Sequence, residues 1–454
     1  MRLAVAGAAR SRPATRLLPT ARGLASSAAA AEAEEGGVLT RELIYASLYA
    51  KEAGYFTTQQ REVLHAPTQG IDFGNLWGAG EYRNVVAQLY RESPEAWLTP
   101  VEVFAPHYSQ ALARYMLSSP FLRQEQLLVF EIGGGSGSNA LHILDYLQQH
   151  APDVYAKTKY TLVEISPVMA ERQRRRVAAA HPQHCTVLNQ DILTFADTHA
   201  PVNAQCFFLA LEVLDNLPHD KVALQNGKWF ETVVQMQQRE SDGDAEPLLR
   251  EATRPMNDML IRQTLRYFGC ELPLRVSYKN NSGLAQRVRR MLGKVDPVLH
   301  SAFIPTGAMQ LLNTLRTAFP KHHLIAADFD SLPAPNLDDK SPIKAIEHPL
   351  SPTATSSGTL FAGNAPLVAS KVTGVTKDHD TYLVQGGIAD IFFATDFERL
   401  KKAYCSALQR QPEEVSVVKS SEFLKEFADV QKTKTITRYN PLLEDYSNTS
   451  FILS

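Results

Sequence analysis

One stretch constrains the fold of this chain more than any other: Leu127 to Leu147, LLVFEIGGGSGSNALHILDYL. Leu127–Phe130 is a short apolar run closed by a glycine cluster, the pattern of a buried parallel strand. Gly133, Gly134, Gly135 and Gly137 follow, and then Ala140, Leu141, Ile143, Leu144 and Leu147 recur at helical spacing. Glycines serve where backbone must turn sharply and lie flat against a ligand. Ser138 or Asn139 is expected to cap the helix, whose free N–H groups then face that ligand. The loop lacks the Lys and Ser/Thr of a phosphate-gripping P-loop, and Ser138 stands where a dinucleotide fingerprint needs its third glycine.

What the residues match is E-x-G-x-G-x-G, formed by Glu131, Gly133, Gly135 and Gly137. This resembles motif I of class I S-adenosylmethionine (AdoMet) methyltransferases. The acid suits a cationic ligand, since AdoMet carries an ammonium and a sulfonium and no phosphate. Three further runs repeat the plan. Tyr160–Val163 ends in Glu164, placed to accept ribose hydroxyls, and Ser166-Pro167 opens the next helix. Thr186–Leu188 leads to Asp191, beside an adenine amine in this reading, and Cys206–Leu211 ends in Glu212. The element order β-α-β-α-β-β, with acids at strand ends, predicts a doubly wound α/β sheet binding its ligand beyond the strand C-termini.

At 454 residues the chain has room for one large domain with insertions or for two domains. A net charge of −2 gives no electrostatic case for nucleic acid, and no apolar run approaches the ~18 residues of a membrane span. Cys185, Cys206, Cys270 and Cys405 lie far apart with no C-x-x-C, so neither a metal site nor a disulfide framework is signalled. His181, His184 and Cys185 lack a fourth ligand. Arg172, Arg174, Arg175 and Arg176 read as a solvated helix face. Residues 1–31 contain five arginines and no acid, the composition of a mitochondrial transit peptide, which predicts a matrix protein.

Along the chain, residues 37–125 read as an N-terminal helical and lid segment. It holds a helix around Leu43–Leu48, a glycine-rich loop (Gly70, Phe73, Trp77, Gly80) that either packs on the surface or covers the ligand, and a helix from Pro100 to Leu117. Residues 126–222 read as the ligand-binding core, and 223–320 as a mainly helical insertion with a basic helix at Arg287–Lys294. Residues 321–454 supply the remaining strands, at His323–Ala327, Thr381–Val384 and Val415–Val418, with a helix starting near Asp396 and a proline-rich surface segment at 331–366. His322 and His323 are expected at the sheet edge, partly exposed.

LTPVEVFAPHYSQALARYML (98–117), EIGGGSGS (131–138), LVEISP (162–167), LEVLDNLPHDKV (211–222), ADIFFATDF (389–397) and YNPLLEDY (439–446) together resemble the MidA-type AdoMet-dependent methyltransferases. The mitochondrial member of that family is a protein arginine methyltransferase and an assembly factor of respiratory complex I. The resemblance implies a class I methyltransferase Rossmann-like fold with helical N-terminal and inserted segments. It places AdoMet on Gly133, Gly135 and Gly137, the ribose on Glu164 and the adenine side at Asp191. The fourth block departs from many relatives, with Leu211-Glu212 for Asn-Glu and Asp215-Asn216 for Asp-Ala. Glu212 and Asp215 are the candidate catalytic pair, since carboxylates can hold a guanidinium in bidentate fashion beside a methyl donor. The alternative is that Asp215 caps a helix and Glu212 meets an ammonium. The expected partner is a protein, a complex I subunit. A small-molecule methyltransferase and a non-catalytic AdoMet-binding assembly chaperone are the competing readings.

Overall fold

The computed structural model describes residues 37–454 apart from 59–62, 65–66, 68, 94, 124–125, 226, 238–247, 271–299, 338–361 and 373–374. The leader and the basic helix at 287–294 therefore lie outside the described residues, as does most of the proline-rich segment.

In chain order the strands are β1 (Val38–Leu39), β2 (Leu128–Ile132), β3 (Lys159–Glu164), β4 (Cys185–Asn189), β5 (Cys206–Leu211), β6 (Asp220–Gln225), β7 (Lys228–Gln237), β8 (Leu248–Pro255), β9 (His300–Ile304), β10 (His322–Phe329), β11 (Leu367–Val372), β12 (Val375–His379), β13 (Asp390–Phe392), β14 (Ser416–Lys419) and β15 (Thr449–Leu453). Seven of them form the central sheet, ordered β14-β15-β10-β5-β2-β3-β4. β4, β3, β2, β5 and β10 run parallel, and β15 lies antiparallel against both β10 and β14. β2 sits between β3 and β5, so the chain order reverses there and a crevice opens at its carboxyl end.

Two apolar clusters cover the faces of this sheet. One packs the helices His107–Ser118 and Ser138–His150 against Val129, Leu162, Leu209 and Ile325. The other packs Thr306–Ala318 and Phe397–Leu408 against Phe208, Ala210, Leu324 and Ile452. Burial on both faces explains why the strands read as continuous apolar runs.

The described part of residues 223–320 corrects the expectation of a mainly helical insertion. β6, β7, β8 and β9 form an antiparallel sheet that β1 joins through β7, with helices at Met259–Phe268 and Thr306–Ala318. Val222, Val233 and Ile304 pack on one face of this sheet and Val234 and Phe303 on the other, while the buried Glu231 and Thr232 interrupt the apolar run of β7. Thr381–Val384 is not a strand either. Tyr382 and Val384 are buried from a packed loop, and the pairing is made by β11 with β12 and β13 in a separate small sheet. Thr449–Leu453, assigned no element from sequence, is an inner strand. The helix expected from Pro100 to Leu117 breaks into Pro100–Val103 and His107–Ser118 around Pro106, which cannot donate within a helix. His322 is fully buried in β10, bonded to Tyr404 and the Phe319 carbonyl, not exposed at an edge.

Candidate active site

A cavity of about 330 Å³ opens over the carboxyl ends of β2, β3, β5 and β10. That volume lies at the lower end of ligand pockets, ~300–1,000 Å³. Tyr45, Tyr49, Phe56 and Trp97 from the N-terminal segment wall one side, and Asp390 and Phe392 of β13 close another. The Gly70–Gly80 loop does not line it. Phe73 packs in the core against Tyr82 and Phe104, so the surface-packing alternative holds for that loop.

The glycine turn is built as its spacing requires. Gly133, Gly135 and Gly137 have φ of 62°, 52° and 83°, a region that side chains rarely adopt. A Cβ on Gly135 would point at Leu64 across the cavity wall, whereas one on Gly137 would strike Val177 at 2.6 Å. Gly135 thus allows approach at the cavity, and Gly137 allows helix packing. Gly137 is also the N-cap of Ser138–His150, which corrects the expectation of a Ser138 or Asn139 cap. Those two side chains are used otherwise. Asn139 and Tyr160 donate to the two carboxylate oxygens of Glu131, each at 2.8 Å. Ser138 and Ser136 donate to the buried Glu102.

Burial raises Glu131 to about 6 against the pull of its two donors. Glu164, at the end of β3, accepts from Ser166 N at 2.9 Å and Gln173 Nε2 at 3.0 Å, and burial lifts it to about 7. Asp191 caps a short turn through Leu193 N at 2.8 Å and accepts from the Tyr45 hydroxyl at 2.8 Å. Two buried atoms bordering the cavity here, Asn139 Oδ1 and Ser166 Oγ, have no hydrogen-bond partner among the described residues. Buried polar atoms normally find one, so both are suited to meet ligand groups.

The other end of the cavity is acidic. Glu212 leaves β5 with φ 51°, a strained conformation for a residue with a side chain. Leu214 N and Asp215 N both donate to Asp328 Oδ2, at 2.8 and 3.1 Å, and Phe329 N donates to Asp328 Oδ1. Asp328 therefore shapes the loop that carries Glu212 and Asp215. Asn216 Nδ2 reaches Asp390 Oδ1 at 2.8 Å, and Phe393 N donates to the Asp215 carbonyl. Asp215 is 5% exposed, and its Oδ1 has no hydrogen-bond partner among the described residues. Among the described residues none of Glu212, Asp215 and Asp328 forms an ion pair.

Burial and the charge of Asp328 push Glu212 up to about 8. Burial, then Asp328, Asp390 and Glu212, hold Asp215 well above the carboxylate range, and burial lifts Asp328 itself to about 7. Buried acids crowded without a cation are costly, and a cationic ligand would relieve that cost. Perturbation of this kind marks functional clefts.

The eight residues singled out in the sequence thus fall around one cavity, with Gly137 behind it in a packing role. Sequence reasoning missed Asp390, Asp328, Glu102, Tyr45 and Tyr49 as site residues. Asp390 and Glu102 lay inside the quoted motif blocks, and Tyr45 and Tyr49 show as a pair four apart. Arg176 also departs from the solvated-face reading, since it reaches Ser136 of the glycine turn at 3.0 Å. His181 bonds Tyr155 and Asp145, the four cysteines are free, and the described residues contain no metal-binding cluster.

Comparison with known proteins bears on the cavity's ligand. Residues 110–415, about two thirds of the chain, match a family profile described as S-adenosyl-L-methionine-dependent methyltransferase. A mitochondrial protein from Schizosaccharomyces pombe, named as a protein arginine methyltransferase NDUFAF7 homolog, is 27% identical over 235 residues. That match covers 49% of this chain and 48% of the relative, about half the length of each. Among solved structures, a COG1565 superfamily member from Burkholderia thailandensis bound to S-adenosyl-homocysteine superposes with a TM-score of 0.55. It is 16% identical, with 96% of this chain and 92% of that chain covered. A second COG1565 structure from the same organism gives 0.52 at 17% identity, with the same coverage. At these identities the likeness is one of fold.

Proposed function

The chain belongs to a family of S-adenosyl-L-methionine-dependent methyltransferases, and from that premise we propose that it methylates an arginine side chain of a protein in mitochondria, a respiratory complex I subunit during assembly. The observation that carries the acceptor class is the buried, unpartnered Oδ1 of Asp215 in a cleft that Glu212, Asp328 and Asp390 also line. A guanidinium satisfies such a cluster with several donors at once. Support for the protein substrate and the compartment comes from the name of the yeast relative. The arginine-poor alternative, a neutral small acceptor, would leave these acids uncompensated.

The residues fit the cosubstrate. Gly133 and Gly135 let the backbone approach it, Glu164 takes ribose hydroxyls, Asp191 lies at the adenine side, and the free Asn139 Oδ1 and Ser166 Oγ border the same space. Bound AdoMet supplies a methyl group already activated on a sulfonium. Glu212 and Asp215 hold two guanidinium nitrogens and draw the positive charge away from the third, which is left to attack. Methylation of a guanidinium releases one proton, and a carboxylate of this cluster receives it. Phe56, Trp97 and Tyr108 keep water from the reacting atoms.

Labelled AdoMet added with the purified protein to mitochondrial lysate from cells lacking it tests the proposal. A labelled protein band whose hydrolysate contains methylarginine is the predicted outcome. Label only in small molecules would favour a metabolite acceptor, and no transfer despite AdoMet binding would favour an assembly chaperone.

A further inference from the structure

The helix Thr40–Tyr49 touches both ends of the cavity through two residues one turn apart. The Tyr45 hydroxyl donates to Asp191 Oδ2 at 2.8 Å, and the Tyr49 hydroxyl donates to the Asn216 carbonyl at 3.2 Å. Residues four apart lie on one helix face. Both rings border the cavity, with their centroids 5.4 Å from each other, and Tyr49 stacks on Phe56. The register of the helix is fixed from outside the central sheet. Arg41 binds Asp220 at 2.7 Å and holds Asp258 through two bonds of 3.0 and 2.7 Å. Glu42 closes its first turn by accepting from Leu39 N.

Each tyrosine holds a group the site depends on. Asp191 gives its other oxygen to Leu193 N, so the Tyr45 hydroxyl decides how the carboxylate faces the cavity. Asn216 follows Asp215 directly, and its side chain is tied to Asp390 and the Ile391 carbonyl. Tyr49 adds a hold on the same residue's backbone. Burial and the neighbouring acids keep both phenols far from ionising, so they donate throughout the working pH range.

We propose that Tyr45 and Tyr49 are positioning residues that set the two halves of the cleft from a single helix. Tyr45 orients Asp191 for the nucleoside, and Tyr49 steadies the Asp215–Asn216 backbone for the acceptor. The inference rests on the reading of the cleft given above. It assigns the N-terminal helix a part in the site.

Tyr45→Phe and Tyr49→Phe keep the rings and remove only the hydroxyls. For the full-length protein, S-adenosyl-homocysteine affinity is measured by calorimetry. Label transfer into lysate protein is measured at saturating AdoMet. Loss of one such hydrogen bond corresponds to about 3- to 10-fold in an equilibrium. Tyr45→Phe should weaken S-adenosyl-homocysteine by about that factor and slow saturated transfer by a smaller one. Tyr49→Phe should leave the affinity within about twofold and slow saturated transfer by a similar factor. Equal effects of both variants on both quantities, or no effect of either, would overturn the division of labour. A parent protein that neither binds S-adenosyl-homocysteine nor labels protein would instead overturn the reading of the cleft on which this rests.

Discussion

In the proposed function, Asp215 is the residue on which the acceptor chemistry turns. Its carboxylate is buried and crowded by three other acids, an arrangement that costs stability and that a bound cation would relieve. Asp215→Asn should therefore cut transfer by ~10²-fold or more while leaving cosubstrate affinity intact, as single-turnover assays and calorimetry would show. The same acids predict a pH dependence. Only their ionised forms hold a guanidinium, so kcat/KM should rise with pH through about 8, where Glu212 ionises. Stability should run the other way. In the unfolded chain these groups lose their protons near ~4. In the folded chain Glu212 keeps its proton to about 8 and Asp328 to about 7. The folded state then binds more protons, and stability falls as pH rises through that interval. Buried histidines held near 4, His219 and His322, oppose this only below their unfolded value of ~6.5. Melting temperature should drop between pH 7 and 8.5, and Asp215→Asn should flatten the drop. An unchanged slope in that variant would contradict the crowding account. Glu131, Glu164, Asp191 and Glu212 were legible in the sequence because each ends or follows an apolar strand. Asp390 was hard to read as a site residue because β13 has three residues and belongs to another sheet.

At the scale of elements, the acidic loop is clamped from two directions. Asp328 of β10 holds its amides, and β13 with the residues after it holds its far side. Phe393 carries that second contact. It is 1% exposed, its N–H reaches the Asp215 carbonyl, and its ring stacks on His219 at 3.8 Å. Phe393→Ala should cost about 3–5 kcal/mol and loosen the loop, lowering both melting temperature and transfer. Thermal melts and label transfer would check this, and transfer unchanged in a destabilised variant would show that the clamp serves stability alone. Periodicity exposed the parallel strands because both their faces are apolar. It misread β7 and β8 because polar residues such as Glu231, Thr232, Glu251 and Thr253 interrupt their apolar runs. The break at Pro106 was visible as a residue, yet a single proline did not outweigh the helical spacing on either side of it.

Across the whole molecule, a seven-stranded doubly wound sheet supplies the cleft, and β13 of the small sheet together with the N-terminal helix encloses it. The central sheet was legible because local signals (glycine turn, strand, acid) agree with its topology. The enclosing parts depend on long-range pairing, such as β1 with β7 some 195 residues away, which no local pattern announces. The proposed function divides the cleft into a glycine-edged cosubstrate end and an acid-edged acceptor end, and one titration separates them. Calorimetry of S-adenosyl-homocysteine against the parent protein, Gly135→Val and Asp215→Asn is the direct test. A valine at position 135 puts a branched side chain at φ 52° beside Leu64. The account predicts binding by the parent and by Asp215→Asn with similar affinity, and none by a folded Gly135→Val. Undiminished binding by Gly135→Val, or its loss in Asp215→Asn, would contradict it.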